Sequence, residues 1–504
     1  MKVCIFRFQW RKRFNKLSST RNNQGDVLEA STRPTRESIF IKALRFHSNR
    51  GNQVNRNQHF WTRMFDILWR WPFSLTHLYT CVFMVLFHRC HTHAENKTKL
   101  TLAGVISLNT TSGWSSGGII PAVELALDDV NNRSDVLQDY ELTLDWEDDK
   151  CIPGLASHLL AQHVYNGTQK IMVLGSGCSI ATVYVASFSH YSNLIQVSYS
   201  AASPELSDTS SYPLFFRTQQ SDLAHNTVRI AIMNRFNWKR VAALYQNEKF
   251  FVQVIDQLIQ KMRRHDISSL VSLPFDYQPS DDLRIVKEND GRIIVVHSYE
   301  DHARALFCAA YRLGMYGSEY AWMIPGWYAT EWWSVPDDRI NCTENEMRTV
   351  LESVIATVQV GSDNSSNQTT INGETIGQYE ARYLHRLQTH PKYKHLVYHD
   401  WHGLGYDAIW AMALTLNSSL EEVSRSNVTD TDGSVRGKRL DDFNYSDDQM
   451  ANIFKTHFAN ISFAGVSGQV WFNEYQDRIG KMAIYQIRDG QRGVTLVSAI
   501  PKEI

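Results

Sequence analysis

The sequence predicts an α/β protein of two doubly wound parallel-sheet lobes, and three observations carry that expectation. From Lys99 onward, short apolar runs alternate with segments whose apolar residues recur at helical spacing. The alternation stops at a polar stretch over 217–226 and resumes at Arg240. With 504 residues and 43% hydrophobic content, the chain can fill more than one core.

In the first layer the pattern gives a strand over 100–108, then a helix whose single face carries Ile120, Val123, Leu127 and Val130. A strand over 140–144, a helix over 155–164 and a strand over 171–174 follow. The second layer opens with a strand over 240–245, a helix over 250–264 and a strand near residue 270. Residues 291–342 then supply a full β-α-β unit. Its first strand covers 293–296; Ala303, Leu306, Phe307, Ala310 and Tyr311 mark the helix; a strand over 320–324 is broken by Pro325 and Gly326. Such a unit makes its strands parallel, and ligands of open parallel sheets bind beyond the carboxyl ends of the strands, where Tyr299 and Trp327 fall. Further on, 361–374 and 422–441 are polar insertions expected as exposed loops, 406–416 is an apolar helix, and short strands are expected around Val470, at 482–487 and at 495–500.

Two turns, 114–118 (WSSGG) and 175–179 (GSGCS), pass from a strand through Gly and Ser into a helix. Free backbone N–H groups and the positive end of the helix dipole make such turns anion sites. Neither fits a dinucleotide or phosphate-loop pattern, so a carboxylate is the expected anion.

Charge is divided along the chain. Residues 1–94 hold 16 Lys plus Arg against 4 Asp plus Glu, whereas 95–504 hold 35 against 48. Residues 1–63 read as a basic disordered extension and 64–94 as a signal peptide or anchor, with Met64 its start, Arg70 ahead of an apolar run and Ala94 at its end. The remainder divides into lobe 1, 95–219 with 355–468, and lobe 2, 220–354 with 469–504. Glycosylation sequons stand at Asn96, Asn109, Asn132, Asn166, Asn341, Asn364, Asn367, Asn417, Asn427, Asn444 and Asn460, and none of the seven Asn before Asn96 begins one. Everything after the apolar segment is therefore expected in the secretory lumen. Cys151, Cys178, Cys308 and Cys342 form an even set there, with three possible pairings that spacing alone does not decide.

Enzyme classes find no support: there is no Gly-x-Ser-x-Gly elbow, His-Glu-x-x-His, phosphate loop or Cys-x-x-Cys. No cofactor, no metal and no nucleic-acid partner is expected. The histidines at 385, 390, 395, 399 and 402 are spaced as a solvated helix and loop rather than as ligands.

The stretches SGWSSGG, PAVELALDDVN, GSGCSIATV, SYSAASPELSD, YPLFFRT, WKRVAAL, PGWYATEWW, GYDAIWAMALTLN and DDFNYSDDQM, in this order, resemble the extracellular Venus-flytrap module of the metabotropic type B GABA receptor family. The resemblance runs from about Lys99 to Asp489. It implies a bilobed type I periplasmic-binding-protein-like fold, cystines Cys151–Cys178 and Cys308–Cys342, and a place in a heterodimeric class C G-protein-coupled receptor at the extracellular face of the plasma membrane. It implies another receptor subunit as partner, GABA or a related amino acid as ligand, and a G protein reached only through a membrane domain. By position, Trp114, Ser179, Tyr299 and Trp327 match the family's ligand-binding residues. Three positions differ: Ala202 replaces a second Ser, Gln219 a His, and Trp401 the Glu that serves the ligand amine. The resemblance thus implies a classical GABA pocket only partly retained, one that keeps an anion end and lacks a counter-ion for an ammonium; a buried ammonium without one costs several kcal/mol, of which cation–π contact returns roughly 0.5 to 2 kcal/mol. The rival readings within this fold are another flytrap receptor ectodomain of the guanylate-cyclase peptide-receptor type and a free secreted amino-acid-binding protein; neither predicts PGWYATEWW together with GYDAIWA.

Overall fold

The computed structural model describes residues 97–108, 116–360, 367–396, 398 and 401–489, and the backbone of 491–499, all within the compact unit Glu95–Ile504. The extension at 1–63 and the signal segment at 64–94 lie outside the described residues.

Two sheets organise the fold. The first comprises β1 (Thr98–Ile106), β2 (Tyr140–Asp148), β3 (Lys170–Gly175), β4 (Ile195–Ser198) and β5 (Phe215–Arg217), in the order β2-β1-β3-β4-β5. All its pairings are parallel. The crossover helices are α1 (Ile119–Asn131), α2 (Pro153–Tyr165) and α3 (Ser179–Tyr191). α4 (Leu223–Arg235) then leads into the second sheet, where β6 (Arg240–Gln246), α5 (Lys249–Arg264), β7 (Ser268–Phe275), α6 (Ser280–Glu288), β8 (Ile293–His297), α7 (Glu300–Arg312), β9 (Ala321–Pro325), α8 (Glu344–Leu351) and β10 (Ile355–Gln359) follow in turn. Its parallel part runs β7-β6-β8-β9-β10. In each lobe the second strand lies outside the first and the third on its other side, so the order reverses between first and third strands. That reversal opens a crevice at the strands' carboxyl ends.

The chain then returns to the first lobe as α9 (Ile376–Thr389), α10 (His402–Ser424), the hairpin β11 (Asn427–Thr429) with β12 (Val435–Gly437), α11 (Asp448–Ala459), and the hairpin β13 (Ser462–Gly465) with β14 (Gly468–Trp471). It ends in the second sheet, where β15 (Met482–Arg488) lies antiparallel on β10 and β16 (Gln491–Ala499) antiparallel on β15. Local chemistry sets several helix starts: Thr343 with Glu346 and Thr375 with Gln378 form reciprocal capping boxes at α8 and α9.

One core joins the first sheet to α1, α9, α10 and α11, with Trp410, Tyr406 and Tyr383 fully buried. Two further clusters fill the faces of the second sheet. This is a bilobed type I periplasmic-binding-protein-like fold. The lobes are joined by three crossings lying side by side. Gln220 N donates to Gln359 Oε1 (3.2 Å), Val360 N to Lys481 O (2.7 Å) and Arg478 Nη1 to Thr218 O (2.9 Å).

Three expectations are corrected. β10 hydrogen-bonds to β9 and β15, and Val470 and Phe472 pack in the first core, so the second and third crossings fall after Gln359 and after Phe472 rather than at 355 and 469. The polar stretch 217–226 already contains the start of α4. The insertion at 422–441 is not simply loop: α10 runs to Ser424 and the β11–β12 hairpin follows.

Candidate functional site

The turn after the third strand of each lobe builds the crevice. After β3 the chain reverses at Gly175, whose φ of 103° is closed to most side chains and where a Cβ would overlap the Val105 carbonyl oxygen. The backbone N–H groups of Gly177 and Cys178 donate to Ser107 Oγ, and Ser176 donates to buried Asp149. The Cys151–Cys178 disulfide, with its Cα atoms 5.8 Å apart, anchors the residue before α3. Ser179 therefore stands in the first turn of a 13-residue helix. Its Oγ accepts the backbone N–H groups of Ala202 and Ser203, each at 3.1 Å. With both lone pairs used, the hydroxyl proton is the part left to donate, and the helix dipole favours an anion as its acceptor.

The second lobe answers from the equivalent turn. β8 ends at His297 and Tyr299 caps α7, while Trp327 follows β9. The Tyr299 ring meets Trp327 edge-on at 6.0 Å and Phe251 at 4.9 Å. Burial raises the Tyr299 phenol far above its ordinary range, so it stays a neutral hydroxyl.

Ser179, Tyr299 and Trp327 line one cavity of about 50 Å3, together with Ala202 and Gln219. Trp114 lies outside the described residues. Trp401 stands just before α10, packed against the first-lobe core. Its neighbour His402 stacks on Tyr383 at 3.6 Å, with Tyr379 Oη 2.8 Å and Glu380 3.1 Å away. Among the described residues no cluster of His, Cys, Asp or Glu is arranged to hold a metal.

The crevice is not without an acid. Asp222, in the crossing between β5 and α4, lines the same cavity. Its Oδ2 accepts the N–H of His297 Nε2 (3.0 Å) and of Trp327 Nε1 (3.3 Å). Arg229 Nη2 donates to His297 Nδ1 (3.0 Å), which fixes the tautomer that donates to Asp222. Burial, reinforced by Arg229, lowers His297 to about 4. Burial alone would raise Asp222, yet His225 and His297 prevail and hold it well below the carboxylate range. Burial lowers Arg229 to about 10, which leaves it a cation at neutral pH. The crevice that the sequence reading left without an acid therefore has one in its lining. Phe250 is a second lining residue that the sequence reading missed. The signal for Asp222 was its place three residues beyond Gln219 as the one charge in an otherwise uncharged crossing; Phe250 had no comparable signal.

The other expected disulfide is also formed, Cys308 to Cys342 with Cα atoms 5.7 Å apart. Of the sequons, Asn96, Asn109 and Asn364 lie outside the described residues. Asn132, Asn166, Asn341, Asn367, Asn427, Asn444 and Asn460 are exposed, whereas Asn417 is half-buried and accepts the Leu137 N–H at 2.9 Å.

Residues 120–490 match the family model of the receptor family ligand binding region. The chain belongs to that family. This receptor ligand-binding region is 35% identical over 386 residues to gamma-aminobutyric acid type B receptor subunit 1 of Mus musculus, covering 75% of this chain and 38% of the relative. It is 33% identical over 401 residues to subunit 1 of Caenorhabditis elegans, covering 78% and 42%. It is 32% identical over 392 residues to subunit 2 of Homo sapiens, covering 77% and 40%. The ligand-binding region thus spans about two fifths of the length of the curated relatives it matches.

Proposed function

We propose that this chain is the ligand-sensing extracellular module of a class C G-protein-coupled receptor subunit of the metabotropic GABA type, not an enzyme, and that a small amino-acid ligand such as GABA closes its lobes. The carrying observation is the single cavity lined by Ser179 of one lobe, Tyr299 and Trp327 of the other, and Gln219 and Asp222 of the crossing. A ligand touching both walls favours the closed arrangement and shifts an existing equilibrium toward it.

Exposed sequons and two disulfides support a location outside the cell, and G-protein coupling would act through a membrane domain. The partner is proposed to be a second receptor subunit. Ile180, Tyr184 and Tyr191 recur along α3 at helical spacing and are 51%, 54% and 86% exposed, an apolar stripe suited to a partner surface. A second reading, a companion subunit that binds no ligand itself, is favoured by Ala202 and Trp401, which lack the family's hydroxyl and carboxylate. Calorimetric titration of the secreted chain with GABA separates the two: saturable heat supports the ligand-binding subunit, and its absence at millimolar GABA refutes it.

A further inference from the structure

We propose that Asp222, assisted by Gln219, is the counter-ion of the site, holding the ammonium of a ligand whose carboxylate is taken by Ser179. The inference rests on the reading of the crevice as an amino-acid site and goes beyond it by placing the positive end of the ligand on the crossing between the lobes. Three independent features point there.

The first is a mismatch in hydrogen bonding. Asp222 Oδ1 and Gln219 Oε1 are both buried without a hydrogen-bond partner, and both residues line the cavity. His225 Nε2 lies 3.5 Å from Asp222 Oδ1 without completing a bond. Buried acceptors are ordinarily satisfied, and an ammonium offers three donors in a compact group. Gln220 Oε1 and Ser221 Oγ on the same segment also lack partners but do not line the cavity. Ser179 in the same lining has the complementary property, since its hydroxyl retains a proton to donate. The lining of one cavity thus combines unmet acceptors with a donor at a helix N-terminus, the two kinds of group a zwitterion needs.

The second is the orientation of the side chain. Asp222 stands just before α4 with helical backbone angles (φ −64°, ψ −9°), which do not turn its carboxylate back onto the first free N–H groups of the helix. It makes no such bond and instead faces His297 and Trp327 of the second lobe. The carboxylate is thus committed to groups of the second lobe rather than to its own helix.

The third is electrostatic. His297 stands between Asp222 and Arg229, so the carboxylate lines the cavity while the balancing guanidinium is set one imidazole farther back. The charge nearest the cavity is negative.

The test is a ligand-by-residue cycle on the full chain, secreted from a eukaryotic host, using GABA and butanoate, which lacks only the amine. The wild type is expected to bind GABA on the order of 100-fold more tightly than butanoate. Asp222→Asn preserves shape and the bond from His297, and is expected to abolish that preference while leaving butanoate affinity within about 3-fold of the wild type. Retention of the preference in Asp222→Asn overturns the proposal, as does a wild type that does not distinguish the two ligands. A wild type that binds neither ligand removes the amino-acid reading itself and this inference with it. Should Asp222→Asn fail to be secreted, Gln219→Leu carries the test: about 10-fold weaker GABA binding with butanoate unaffected supports the site, and unchanged GABA binding overturns it.

Discussion

Ser179→Ala removes one oxygen and separates the two roles the structure gives it. In the folded protein Oγ accepts two backbone N–H groups at 3.1 Å, from residues only 8% and 3% exposed. A dehydrated, unpartnered N–H costs about 1 to 3 kcal/mol. Water entering from the crevice relieves part of this, so the pair is expected to lose about 2 kcal/mol of stability, a drop of a few degrees in thermal midpoint. The ligand loses a charge-assisted hydrogen bond of about 1.5 to 3 kcal/mol, or roughly 10- to 150-fold in affinity. Calorimetric titration with GABA, beside a thermal melt without ligand, measures both quantities. Ser179→Thr keeps the hydroxyl and is expected to recover most of the affinity. A GABA affinity in Ser179→Ala within about 3-fold of the wild type would show that the helix N-terminus does not hold the carboxylate, and would refute the assignment.

Three further outcomes follow from buried charge and cross-links. Arg217, with its side chain fully buried, meets Asp477 at 2.6 Å and donates to Ala201 O, Ser203 O and Ser207 Oγ. Asp477→Asn leaves that charge uncompensated and is expected to cost about 3 to 5 kcal/mol in denaturant unfolding. Replacing Cys308 and Cys342 together by Ser opens a 34-residue loop and is expected to cost about 3 to 4 kcal/mol, seen as a lower melting temperature on which reductant acts only through Cys151–Cys178. His297, lowered to about 4 in the folded protein from an ordinary 6.5, stays neutral where the unfolded chain takes up a proton. The unfolded state therefore binds more protons in that window, and stability falls as pH drops from 6.5 to 4, by up to about 3 kcal/mol from this residue. Urea midpoints of His297→Gln across pH are expected to show a correspondingly flatter slope.

The strands were legible because a parallel sheet is covered on both faces, so β3 and β8 read as continuous apolar runs with nothing to mask them. Ser179, Tyr299 and Trp327 were legible for a related reason: each stands just beyond a strand end, a position set by chain order. α4 was not, because its buried face carries His225, Asn226 and Arg229 alongside its apolar residues. Their burial is offset by long-range bonds to Thr357, Val254 and His297, which no local periodicity reports. Asp222 was hidden in the same way, its partners lying 75 and 105 residues away. The β11–β12 hairpin escaped notice because its two strands have only three residues each and little burial to pattern them.

The arrangement of charge partners has a consequence for what counts as an agonist. Ser179 is bonded to the backbone of Ala202 and Ser203, whose flanking carbonyls are held by Arg217, itself tied to Asp477 in the third crossing. Asp222, in the first crossing, is bonded to His297 and Trp327 of the second lobe. On the proposed reading, the carboxylate of a ligand engages the first of these assemblies and its ammonium the second. A molecule bearing only the anion contacts one assembly, interacts equally with open and closed arrangements, and shifts nothing however tightly it binds. A molecule bearing both charges at a matching span gains its second contact only when the lobes approach, and that difference in affinity drives closure. Butanoate should therefore occupy the crevice as a competitor of GABA without the compaction that GABA produces in small-angle scattering; compaction by butanoate equal to that by GABA would place the closing force in the anion end alone.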